Sequence, residues 1–230
     1  DSSKGISQQY KYDQSKIVLG FIGLHLQENT SDEISTENLT TFLNGLKKDY
    51  NIEVLNNVDE FVFHLKNKNG VFNYNEYNDT FVFYNHYFQE YFVSICIQDS
   101  DEGQLKENFF SEWWENTIVW YCGKQPRRDT FILDIAKTIV PHELKDKYNY
   151  LQLLSKRIQA NHSIPNKSRL KVINRMLKEF DEFYNLFLAG GKEGKTFAAS
   201  VTTMNLVLQF RDFFSKLFES KFICDEECLN

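Results

Sequence analysis

The sequence predicts a mainly α-helical chain, and three observations carry that expectation. Ordinary usage over this length would supply about 16 Gly and about 12 Pro, whereas 10 and 3 are present, too few chain breakers for a turn-dense β sandwich or barrel. Apolar residues recur at helical spacing, most clearly from Ile173 through Met176, Leu177, Phe180, Phe183 and Tyr184 to Phe187. The interior is built from rings, with 21 Phe, 12 Tyr and 3 Trp, yet no run approaches the ~18 apolar residues of a membrane span. At 230 residues the chain is long enough for one large or two small domains. Its net charge of -6 disfavours nucleic acid as a partner over the whole surface. Four Cys and no basic-then-apolar leader fit reduced thiols and a cytoplasmic protein with no membrane attachment, and a first residue other than Met fits a piece of something longer.

Taken in order, residues 1–15 are polar and aperiodic and read as a disordered entry or linker. Ile17 to Glu28 has apolar residues on more than one face, as in a buried helix, and Asn29 to Glu33 breaks it. A second helix is expected from Thr36 to Tyr50, with Lys47 and Lys48 suiting its carbonyl end. A third opens at Asn57, which with Glu60 has the spacing of a capping box, and stops at Asn69-Gly70. Two short β-type runs follow, Val71 to Tyr74 and Thr80 to Tyr84, separated by the polar Asn75 to Asp79. Three helices and then a hairpin with a wing-like loop is the order of a winged-helix domain, assigned to 16–98 together with a closing helix from His86 to about Gln98. Residues 99–230 are expected to form an α-helical repeat-like or bundle domain, although no self-similarity recurs at a fixed period.

Within the hairpin and the helix after it, Phe81, Phe83, Phe88, Gln89, Glu90, Tyr91 and Phe92 resemble the F-x-F-x-H and F-Q-E-Y/F-F signature that ends the winged-helix domain of NACHT-type STAND NTPases. Leu65 to Phe72 is similar to the family's helix end and turn into the wing, and Trp113-Trp114-Glu115 to Gly123 resembles the first helical pair after it. The resemblance covers Ile17 to about Val140. It implies a chain that clamps a separate NTPase module, with ADP or ATP bound in that module and none on this chain. It further implies a helical arm that binds a protein trigger or partner, and a parent that is a signalling or defence switch and forms oligomers when activated. The family's histidine, which touches the terminal phosphate of ADP, is replaced in position by Asn85, with His86 one residue later. Either residue can take the role, since an amide and an imidazole N–H both donate to phosphate. Read as plain structure, Asn85 is an N-cap and His86 a partly buried first-turn residue. Phe88, Tyr91 and Phe92 are expected to pack between domains, and Glu90 to be satisfied by a salt bridge or cap.

Other patterns give no chemistry. Ala189 to Thr196 fits a loosened P-loop string but lacks the buried strand that a P-loop needs before it. Cys224 and Cys228 find no second pair of metal ligands, and the five His are scattered, so neither a metal site nor catalysis is expected on this chain. The third helix carries Asp59, Glu60, Phe61 and Phe63, unlike a groove-reading helix. Basic clusters at Lys124, Arg127 and Arg128 and at Lys167, Arg169, Lys171 and Arg175 fit solvated faces or a docking patch for an acidic protein segment or nucleic acid. A self-contained helical interaction adaptor, its winged helix a packing unit only, is the competing reading.

Overall fold

The computed structural model describes residues 2–67, 70–97, 102–124, 129–139, 141–161 and 164–189, with side chains of the first helix described from residue 12. The P-loop-like string beyond Ala189, the expected last helix from Phe197 to Lys221 and the Cys224/Cys228 pair lie outside the described residues. The fold is mainly helical with one small antiparallel sheet, in the order α1 (Ser2–Glu28), β1 (Glu33–Ser35), α2 (Thr36–Asp49), a 3-10 turn (Glu53–Leu55), α3 (Val58–Asn67), β2 (Phe72–Asn75), β3 (Thr80–Phe83), α4 (His86–Cys96), α5 (Glu102–Glu107), a second 3-10 turn (Glu112–Trp114), α6 (Glu115–Lys124), α7 (Asp129–Thr138), α8 (Leu144–Ala160) and α9 (Asn166–Ala189). Among the described residues no helix is long and apolar enough to cross a membrane. The chain divides into two compact units, Asp1–Tyr121 and Cys122–Asn230. The expected boundary at 99–104 falls in part outside the described residues; from Glu102 the chain enters α5, whose Leu105 is fully buried.

The expected disordered entry gives way to helix. The α1 helix already begins at Ser2, and Gln14 is buried, its Oε1 accepting the Val54 N–H of the first 3-10 turn at 3.0 Å. A polar stretch continues a helix when one face of it has partners, and composition alone does not show those partners. The capping signals act as read. Ser35 caps α2 by accepting from Asn38 N, and Asn57 Oδ1 accepts from Glu60 N at 3.2 Å to open α3. Gly70, at φ +59, follows α3, a backbone setting that glycine adopts without Cβ strain.

The sheet has the order β1-β3-β2, with Ile34 opposite Phe81 on one side of β3 and Phe72 opposite Phe83 on the other. The strand β1 was not expected, because three residues are too short to display the alternation that marks a strand. Phe81, Phe83 and Phe72 enter a core with Val18, Ile22, Leu39, Leu43, Leu55 and Leu65. The helices α1 and α4 approach closely at two glycines. A Cβ on Gly20 would lie 2.8 Å from the Cys96 Cβ, and one on Gly23 would lie 3.1 Å from a Val93 methyl.

In the second unit α7, α8 and α9 pack on one another around Phe131, Ile135, Tyr150, Leu154, Val172 and Met176. Lys147, near the start of α8, meets Glu179 and Glu182 far along α9 at 2.7 Å each, so the two helices run antiparallel. Glu179 also holds Arg175 at 2.6 Å. Burial pushes the Tyr150 hydroxyl up to about 12.

Candidate functional site

The residues singled out in the sequence meet at the junction of β3 and α4. Asn85 has extended backbone (φ -143, ψ 135) and caps α4, its Oδ1 accepting from Tyr87 N at 2.9 Å. The remaining amide donor, Nδ2, has no hydrogen bond among the described residues. His86, the first helical residue, is partly buried and holds both ring nitrogens toward carboxylates. Nδ1 lies 3.4 Å from Asp32 Oδ1, and Nε2 lies 3.6 Å from Glu90 Oε1. Its ring also packs on Trp113, with centroids 4.5 Å apart.

Behind His86 lies a buried polar cluster that the sequence did not reveal. Gln89 and Glu90 are each 1% exposed. Gln89 Nε2 donates to Gln27 Oε1 at 3.2 Å, and Gln27 exchanges two further bonds with Trp113, its Nε2 donating to the Trp113 carbonyl and its own carbonyl accepting from Trp113 Nε1. Asn116 Nδ2 donates to Glu90 Oε1 at 3.1 Å, whereas Glu90 Oε2 has no partner. The α1, α4 and α6 helices and the 3-10 turn before α6 are thus joined through amide and carboxyl groups.

The rings fall differently from the expectation. Phe88 is 43% exposed, and Tyr84 and Tyr87 beside it are more so, so the face of α4 that enters the core is Gln89, Glu90, Val93 and Ser94. Phe92 is half-buried against the core, 6.2 Å from Phe83, and Tyr91 meets Trp120 edge to face at 5.8 Å. The physical reason for the rotated face is the close approach of α1. Helix backbones that meet at Gly20 and Gly23 leave room for Val93 and Cys96 but not for a phenyl ring. The cue available in the sequence was the Gly20/Gly23 spacing, which presents two glycines on nearly one face of a helix.

Burial, with the charge of Glu115 adding to it against the Asn116 hydrogen bond, pushes the Glu90 carboxyl up to about 7. The folded chain therefore binds a proton that the unfolded chain releases between about 4.5 and 7, and stability falls as pH rises through that window. The full cost, on the order of 3 kcal/mol, is present above it. Glu90→Gln mimics the protonated form and is expected to raise unfolding free energy by about 1–3 kcal/mol at pH 8, with no gain near pH 4.5. Urea unfolding across this range checks it, and a gain independent of pH would remove Glu90 as the titrating group.

A cleft of ≈ 560 Å³ between α1 and α3, lined by Leu19, Val54, Phe61, Leu65, Val71 and Phe92 among others, does not include Asn85 or His86. The chemistry-bearing groups and this concavity are separate features, and the hydrogen-bonded junction is the better candidate because its polar groups converge on one another. Compared with models of known families, with curated proteins and with solved structures, the chain finds no match.

Proposed function

We propose that the chain is the regulatory part of a STAND-type ATPase switch, in which a winged-helix domain clamps a separate NTPase module and the following helices bind a trigger or partner. The observation that carries this reading is the order of elements in the first unit. One helix, a short strand, two helices and a hairpin, with the sheet ordered β1-β3-β2, is an order compatible with a winged helix and supports that reading, and the hairpin feeds α4 without an intervening loop longer than Tyr84-Asn85. That junction is where the NACHT-like signature falls, with Asn85 presenting one uncommitted amide donor at a helix N-terminus. Both nitrogens of His86 already face carboxylates, which favours Asn85 over His86 as the group that touches the nucleotide of the NTPase module. The clamp works by population shift. Nucleotide contacts hold the closed state, and a ligand on the helical arm favours the open one, after which oligomers form.

The test compares Asn85→Ala and His86→Ala in the full-length protein, reading ADP retention and oligomer formation without a trigger. Loss of a contact worth the usual inter-site coupling of about 1–3 kcal/mol should release ADP roughly 5- to 150-fold more readily in Asn85→Ala. Release in His86→Ala alone transfers the role to the histidine, and no release in either overturns the clamp in favour of a helical interaction adaptor.

A further inference from the structure

His86 and Glu90 stand one helical turn apart and face charges from every side of their cluster. On α4 they face each other at 3.6 Å. From the loop after α1, Asp32 lies 3.4 Å from the far nitrogen of His86. From α6, Glu115 adds negative potential at Glu90 and Asn116 adds a neutral donor. The C-terminal part of α1 brings neutral Gln27 to Gln89, and Trp113 covers the imidazole. We propose that Glu90 is buried as the neutral acid, and that loss of its proton loosens residues 102–121 from α4, so that the cluster is a pH-sensitive latch within the first unit.

As the acid, Glu90 carries no charge into the interior. When the proton leaves, Glu90 becomes a buried anion. Its Oε2 has no donor within reach and Glu115 stands near. A charge so placed is relieved by admitting water, which requires one of the packed elements to move. The α1 helix is poorly placed to give way, because it meets α4 backbone to backbone at Gly20 and Gly23. The 102–121 segment is held to α1 and α4 largely by side chains: Asn116 on Glu90, Trp113 on His86 and Gln27, Trp120 on Tyr91, and Gln104 donating to Glu28 at 2.8 Å. Two of these end on Glu90 and on His86 beside it, so the segment is the element that loosens. Local opening of this kind is what amide exchange detects.

Amide exchange of the whole chain at pH 6 and pH 8, corrected for the intrinsic pH dependence of exchange, tests the latch. Protection across 113–121 should fall at least 10-fold more in the wild type than in Glu90→Gln over that interval, while β3 and the core-facing half of α1 fall equally in both. Should that variant fail to fold, Asp32→Asn serves, since Asp32 is largely exposed and its loss should move opening of 113–121 to lower pH. Equal pH dependence of protection in wild type and Glu90→Gln, or an unmoved opening midpoint in Asp32→Asn, overturns the proposal.

Discussion

Phe81→Ala is expected to cost the first unit about 3–5 kcal/mol, enough to unfold a domain of ordinary stability. Phe81 is fully buried in the central strand, opposite Ile34 of β1 and Tyr74 of β2, with the Phe72 and Tyr74 rings at 6.1 and 5.1 Å. Truncation removes the transfer free energy of a phenyl ring and leaves a cavity bounded on both sides by paired strands, which cannot collapse without breaking the ladder. Phe88→Ala, on the 43% exposed ring that the helical pattern places inside, should cost less than about 1 kcal/mol. Urea unfolding of the two variants against the parent separates them. Equal losses would mean that α4 turns Phe88 inward after all, and that its glycine contacts with α1 are misplaced.

That contrast shows what the sequence can and cannot express. Caps and strands were legible because their signals are local: Asn57 and Glu60 are three apart, and the run from Thr80 to Phe83 is dense in aromatic and β-branched residues. Asn85 as an N-cap and His86 as a partly buried first-turn residue were legible for the same reason. The face of α4 was not. Hydrophobicity places Phe88, Tyr91 and Phe92 inward, but the partner that decides the face is a pair of glycines more than sixty positions earlier. Those glycines select Val93 and Cys96, and Gln89 and Glu90 follow them into the interior, where Gln27 and Asn116 satisfy what they can. Burial of polar residues depends on such distant partners, so composition read along the chain leaves them on the surface. The helical start at Ser2 was hidden in the same way, since the contact of Gln14 with Val54 is forty residues long.

The second large effect is expected in the second unit, where Glu179→Ala should destabilise by about 3–5 kcal/mol. The Glu179 carboxylate is almost wholly buried and holds two cations, Lys147 at 2.7 Å and Arg175 at 2.6 Å. Burial alone pulls the Lys147 ammonium down, yet the hydrogen bonds it donates to Glu179 and Glu182, with their negative charge, outweigh it and leave the group raised. Removing Glu179 withdraws the better-buried of these two partners and leaves a buried ammonium between α8 and α9 with one half-exposed carboxylate, Glu182. The penalty comes from that uncompensated charge rather than from the lost attraction, which the cost of desolvating both ions largely cancels. Two controls follow. Glu182→Ala should cost under about 1 kcal/mol, because Glu182 reaches solvent and the Lys147–Glu179 pair survives. The double variant Lys147→Met with Glu179→Met should recover part of the loss, since it removes the buried Lys147–Glu179 pair and keeps volume, while the mostly buried Arg175 still loses its carboxylate partner. Denaturant unfolding monitored in the second unit decides it. If Glu179→Ala unfolds at the parent's midpoint, the ion pair is not what holds α8 against α9, and the apolar contacts around Leu154 and Met176 carry that interface alone.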